Sequence, residues 1–207
     1  MVSTARCGIT SSLICFQSLK AFAPELLTRI FLQLSYKSLL RVEAVCVEWK
    51  AIVSKHPELS VQMFKKLSKE YVEPGCSKPS FRSESRGRSV GEPIRLHPAL
   101  NEASYILGED FESVSFYTGK NDEHKLCELA IANDFISIPM VTTAQLIITS
   151  HHIIKVKNAK GIKLKDVFVA MKKGARVRSL GDHRFYEGLE FVTRSGLALT
   201  AQMGLGS

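Results

Sequence analysis

The chain has 207 residues, enough for one or two domains. Hydrophobic residues make up 45% and charged residues 23%, a balance typical of a globular protein. No apolar run approaches the roughly 18–20 residues that span a bilayer, so we predict no membrane segment. Lysine and arginine outnumber acidic residues by 28 to 20, a formal net charge of +8, which favours acidic partners.

The five cysteines are scattered and form no C-x-x-C pair, so the sequence predicts neither a zinc site nor a disulfide framework. Free thiols are typical of a reducing compartment, and we therefore expect the cytosol or the nucleus. The segment before Glu25 carries Arg6 and Lys20 but no acid. We expect residues 1–20 to be a disordered leader, with a mitochondrial transit peptide as the alternative.

The stretch 22–53 has the apolar spacing of three short helices joined by short turns. Pro24 suits a first helical turn, where its missing N–H goes unused. A unit of this size rarely folds alone, so its apolar surface must be covered by the rest of the chain or by another protein. The simpler interpretation is a helical hairpin of a larger core.

The same stretch resembles an F-box, whose pattern runs L-P-x-E-L-L-x-x-I-F-x-x-L, then L-L-R, then V-C-x-x-W. The residues in register are Glu25, Leu26, Leu27, Ile30, Phe31, Leu34, Leu39, Leu40, Arg41, Val45, Cys46 and Trp49. Two departures are Phe22-Ala23, where Leu-Pro is usual, and Val47-Glu48, where the family prefers more basic residues.

The resemblance implies docking on the Skp-type adaptor of a cullin–RING ubiquitin ligase, and through the adaptor on a cullin. It places Leu27, Ile30 and Trp49 near the centre of the contact. The adaptor-binding residues that it implies are Phe22, Pro24, Glu25, Leu26, Leu27, Ile30, Phe31, Leu39, Val45, Cys46 and Trp49.

A fourth helix is predicted to begin near Pro57, because Leu59, Met63, Phe64 and Leu67 follow at helical spacing. We therefore place the F-box and this helix at 21–71. Residues 72–93 are rich in Ser, Gly, Pro and Arg and poor in branched apolar residues, which predicts a flexible linker.

Within residues 94–207, apolar and polar side chains alternate as they do in strands, most clearly around 113–118, 143–149 and 153–157. A helix is predicted from Leu164 to Gly174, and two further strands around 190–193 and 197–202. We predict an α+β protein: a three- to four-helix unit, a linker, and a mostly antiparallel sheet with one main helix.

This second half also resembles an uncharacterised domain that recurs in proteins of mushroom-forming fungi. The segments that carry the resemblance are IRLHPAL, VTTAQLIIT, KLKDVFVAM and SLGDHRFYEGLEF. It supports the fold and the boundaries of 94–207 but assigns no chemistry. In an F-box protein the C-terminal domain is expected to select the substrate.

No enzyme signature is evident, and we predict no catalytic residue, cofactor or metal. His151 and His152 are adjacent, so on a strand they would point to opposite faces and not bind one metal. Asp182-His183 has no nearby Ser or Cys in a nucleophile motif. The sequence contains neither a Walker motif nor G-x-G-x-x-G.

Between Lys155 and Arg178, nine basic residues stand against one acid, Asp166. The candidate partner-binding patch is Lys155, Lys157, Lys165, Lys172 and Lys173. A solvated surface is the simpler interpretation, and a basic nucleic-acid or phosphate-binding module is the alternative function. Because no aromatic residue apart from Phe168 interleaves with the lysines, we do not expect nucleic acid.

Overall fold

The computed structural model describes residues 23–70, 92–119, 122–174 and 180–207. The predicted leader and Phe22 lie outside the described residues, as does the predicted linker except Glu92 and Pro93. Helices come first and a sheet-rich region with one long helix follows, so the predicted α+β class is confirmed. None of the helices in these ranges is both long and apolar enough to cross a membrane.

Residues 23–70, which we call the helical unit, contain four short helices. They are α1 (Pro24–Leu32), α2 (Tyr36–Val45), α3 (Val47–Lys55) and α4 (Pro57–Gln62). Pro24 and Pro57 each begin a helix, where a missing N–H costs no hydrogen bond. The Ser35 hydroxyl caps α2 by accepting from the Ser38 N–H at 3.3 Å.

The fourth helix is shorter than predicted. It ends at Gln62 rather than continuing to Leu67, because Phe64 has a φ of 61° and a left-handed residue cannot continue a right-handed helix. The buried Gln62 amide donates to the Leu34 carbonyl at 2.9 Å. This bond fixes the end of α4 against the turn between α1 and α2.

The C-terminal region contains nine strands and two α-helices in its described residues. They are β1 (Arg95–Leu96), α5 (Ala99–Glu102), β2 (Ala103–Ser104), β3 (Ser115–Gly119), β4 (Asp122–Lys125), β5 (Ser137–Ile138), β6 (Thr143–Thr149), β7 (His152–Lys157), α6 (Leu164–Gly174), β8 (Phe185–Ser195) and β9 (Ala198–Gly206). They form sheets with the orders β1-β5, β2-β3-β4 and β7-β6-β9-β8. Every pair is antiparallel except β6 with β9.

Helix α6 covers one face of the four-stranded sheet. Alternate residues of β6 and β7 are buried on that face, and in the paired register Leu146 lies beside Ile154 and Ala144 beside Val156. A Cβ at Gly174, the last residue of α6, would lie 2.8 Å from the Ile154 side chain. The helix thus approaches β7 so closely that only glycine fits there.

Phe64 joins the helical unit to the C-terminal region. Its fully buried ring contacts Tyr36 at 5.9 Å and His97 at 4.8 Å between ring centroids, and the Arg95 guanidinium lies 4.8 Å from its centre. Its carbonyl accepts the Phe135 N–H at 2.8 Å. The two regions therefore share one hydrophobic core.

Polar contacts extend this junction on both sides. The Lys37 ammonium lies 2.6 Å from the Glu102 carboxylate, which joins α2 to α5. The Met140 N–H donates to the Ser68 carbonyl at 2.8 Å. The helical unit is therefore held at several points and not through Phe64 alone.

Phe64→Ala should lower the free energy of unfolding by about 3–5 kcal/mol, the usual cost of truncating a buried phenylalanine. Val47 is exposed, so Val47→Ala is the control, and its free energy of unfolding should stay within about 0.5 kcal/mol of the wild type.

In the wild type, the fluorescence of Trp49, the chain's only tryptophan, should change at the same denaturant concentration at which β6 loses amide-exchange protection. A Trp49 transition well before that of β6 would contradict a shared core.

Candidate protein-interaction surfaces

Helices α1 to α3 expose four large apolar side chains, which we call the docking surface: Leu26, Ile30, Val45 and Val47. Leu26 and Ile30 lie one turn apart on α1 and are each 48% exposed. Val45 and Val47 flank the bend between α2 and α3, and Val47 is 80% exposed. Single exposed apolar residues are ordinary, whereas two pairs of neighbouring ones on short helices indicate an interaction site.

The bend at Cys46 and the ring of Trp49 hold this surface in place. Cys46 has extended backbone angles and both ends α2 and begins α3. The half-buried Trp49 packs edge-on against Phe31, with 5.3 Å between ring centroids. This contact fixes α3 against α1, the helix that carries Leu26 and Ile30.

Several residues of the predicted adaptor-binding set are accessible. The exposed ones are Pro24, Glu25, Leu26, Ile30 and Val45, and the half-buried ones are Cys46 and Trp49. Val47 was not in the set, because the F-box pattern prefers a basic residue there. Val47 directly follows Cys46, and this position in the sequence is the signal that could have marked Val47 as an exposed residue of the surface.

Three residues of the predicted set lie inside the helical unit instead. Leu27 is 6%, Phe31 2% and Leu39 0% exposed. We therefore correct the prediction of direct contact for these three, and Leu27 leaves the centre of the surface. At helical spacing, residues that build the core and residues that face outward share the same apolar pattern, so the sequence does not separate them.

The structure does not bring the five predicted lysines onto one face. Lys155 and Lys157 are exposed and alternate with Ile154 and Val156, which face α6. They therefore project from the face of the sheet that α6 leaves open. Lys165, Lys172 and Lys173 are exposed on α6 itself.

One of the helix lysines already has a partner. The Lys172 ammonium pairs with the Asp110 carboxylate, next to the turn that precedes β3. Lys155 and Lys157, in contrast, make no ion pair with any residue that the structure describes. The same holds for Lys165 and Lys173, so of the five lysines Lys172 alone has an ion-pair partner among the described residues.

Of the histidines considered for catalysis or metal binding, one makes a structural contact and two are exposed. The His152 Nε2 lies 2.7 Å from the Gly174 carbonyl and closes the last turn of α6, while His151 is exposed in the β6–β7 turn. Asp182 and His183 are both exposed. In the described ranges no group of three or more His, Cys, Asp or Glu residues is arranged to hold a metal ion.

A buried polar cluster lies at the junction beside Phe64. His97 Nδ1 accepts the Ala99 N–H at 3.1 Å, so the ring hydrogen is assigned to Nε2, which faces the Asp134 carboxylate at 3.7 Å. Burial lowers the pKa of His97, raises the pKa of Asp134 and raises that of Tyr36 well above its usual value. With His97 fully buried, the cluster is closed to a substrate and acts in packing.

Comparison with known proteins identifies the helical unit. Residues 24–66 match the family model described as F-box-like. The chain therefore carries an F-box-like domain in its N-terminal part, which supports an adaptor-binding role in ubiquitin ligases of the Skp–cullin type. No curated protein and no solved structure matches the chain. The resemblance of the C-terminal half to a fungal domain stays a prediction.

Stability should fall as the pH drops through about 6.5, the ordinary histidine pKa. Because the pKa of buried His97 is lowered, the unfolded chain binds a proton there that the folded chain does not. His97→Asn keeps an acceptor for the Ala99 N–H without a titrating group, so it should lose less stability between about pH 7.5 and 5.5. Asp134, Arg95 and Glu102, the charged neighbours, are present in both proteins. Identical urea midpoints against pH for the two would contradict the assignment.

Proposed function

We propose that the chain is a substrate-receptor subunit of a cullin–RING ubiquitin ligase. The F-box-like domain at residues 24–66 docks on a Skp-type adaptor, and the C-terminal α+β region holds a target protein. The chain catalyses nothing itself. It acts by raising the effective concentration of the target near the ubiquitin-charged enzyme.

The observation that carries the proposal is the docking surface on a unit that matches F-box-like domains. Leu26, Ile30, Val45 and Val47 are 39–80% exposed, although the same helices bury Leu27, Phe31 and Leu39 in the shared core. An exposed apolar centre surrounded by polar residues is the usual anatomy of a protein interface. The adaptor is the partner that this surface fits.

The shared core supports target presentation at a fixed geometry. Phe64, Tyr36 and His97 pack at the junction, so the C-terminal region moves with the helical unit and not independently of it. A target bound to the C-terminal region would be held at a defined distance from the adaptor. The free thiols Cys46 and Cys127 agree with the cytosol or the nucleus as the compartment.

A basic nucleic-acid module is the second candidate, and the structure favours it less. The lysines of β7 and those of α6 lie on different sides of the sheet, and Lys172 is neutralised by Asp110. A nucleic-acid backbone needs several cations along one path.

The test is the affinity for a purified Skp-type adaptor of the wild type and of the double variant Leu26→Ala, Ile30→Ala. Alanine preserves the helix and removes two anchors of the docking surface. Truncating interface anchors typically costs about 2 kcal/mol or more, so binding should weaken by about 30-fold or more. Calorimetry measures the affinity, and circular dichroism verifies the fold.

The matched control is Phe185→Ala with Phe191→Ala. These side chains are 49% and 51% exposed, as much as Leu26 and Ile30, but they belong to β8. The control variant should bind the adaptor as the wild type does. Equal affinity of the wild type and the α1 variant would refute the proposed docking.

A further inference from the structure

Strand β7 is an outer strand with two unneutralised lysines. It pairs with β6 on one side and is the first strand of the order β7-β6-β9-β8, so no strand of the described residues pairs with its other side. Its open face presents Ile153, Lys155 and Lys157 in turn, and all three are exposed. An outer strand offers a row of backbone N–H and C=O groups to an added chain.

The strands beside these lysines carry no acidic residue, and the acid off the strands that lies near them, Asp166, already accepts from the Asn158 amide at 2.7 Å and the Lys163 N–H at 3.0 Å. Strands β6, β7 and β9 contain no Asp or Glu, and Lys155 and Lys157 lie beside Gln145 and Thr143 of β6. The nearest acidic strand residues in this sheet, Glu187 and Glu190, belong to β8 at the opposite edge. Three strand spacings separate the edges, about 14 Å.

We propose that β7 takes an extended acidic segment of a partner protein as a fifth strand of the sheet. Side chains two apart on such a segment repeat at the same spacing, about 6.6 Å, as Lys155 and Lys157. Two acidic residues at that spacing would each face one lysine, in the cross-strand arrangement that stabilises opposite charges. An apolar residue two positions further faces Ile153.

Two other occupants fit the strand less well. A second copy of this chain paired at β7 would bring lysine towards lysine, which is how outer strands avoid self-association. Single-stranded nucleic acid needs aromatic side chains for stacking, and β6, β7 and β9 carry no Phe, Tyr or Trp. The backbone edge and the spacing of the lysines both favour an acidic polypeptide.

An acidic extended segment would be the class of target that the proposed receptor binds. The proposed function matters here only for what happens to the target after it has bound. Binding at β7 is measured without the adaptor. A failure here leaves the adaptor measurement untouched, and a failure of adaptor docking leaves peptide binding at β7 to be judged by itself.

The probe is a short labelled alternating peptide in which glutamate, glutamate and valine occupy successive alternate positions with threonine between them, titrated into the full chain and followed by fluorescence anisotropy. A block peptide of the same composition, with the glutamates contiguous, tests the spacing. A backbone N-methylated version of the alternating peptide tests strand pairing, because it lacks the N–H donors. Only the unmodified alternating peptide should bind well.

Two double variants test whether peptide binding depends on the two lysines of β7 or only on the net charge of the chain. Lys155→Glu with Lys157→Glu, and Lys165→Glu with Lys173→Glu, each lower the formal net charge from +8 to +4. The first should weaken peptide binding by about tenfold or more, because two attractive cross-strand pairs become repulsive. The second changes α6 and should leave the affinity within about twofold.

Four outcomes would overturn the proposal: no binding of the alternating peptide, equal binding of the block or N-methylated peptide, equal loss in both double variants, or binding of an oligonucleotide through Lys155 and Lys157 instead. A circular dichroism spectrum and a urea midpoint like those of the wild type show that the β7 variant is folded. The exposed positions of both lysines make that the expected result.

Discussion

The structure depends on the insertion of Phe64 into the C-terminal region. Its left-handed backbone costs about 1–2 kcal/mol, and this strain is offset because the ring is fully buried between Tyr36 and His97. The same conformation ends α4 and directs the Phe64 carbonyl to the Phe135 N–H. A short helical unit that would rarely fold alone is thereby stabilised from one side, and its other side stays available to a partner.

The two candidate surfaces have different physical characters. The docking surface on the helical unit is apolar and rests on side chains such as Ile30 and Val47, so its affinity comes from burial of apolar area. Strand β7 offers backbone groups and two lysines, so its selectivity comes from charge and spacing. We propose a different partner for each surface, and the shared core holds the two surfaces in a fixed relation.

Local patterns predicted much of the fold. The strand 143–149 and the helix Leu164–Gly174 have the predicted bounds, because period-2 and period-3.6 patterns are unambiguous there. The extent of α4 was wrong, since an αL residue at Phe64 leaves no signal when it is not Gly or Asn. Burial of Leu27 beside exposed Leu26 depends on which neighbours the chain brings up, and the relative position of β7 and α6 depends on long-range packing. Neither is encoded in a short window.

The central claim is that the helical unit meets the adaptor while β7 stays open. Hydrogen–deuterium exchange of the full chain, with and without a Skp-type adaptor, tests it directly. The account predicts slower exchange in α1 and at the Cys46 bend on adding the adaptor, with unchanged exchange in β7. Slower exchange in β7 with α1 unaffected would contradict the account.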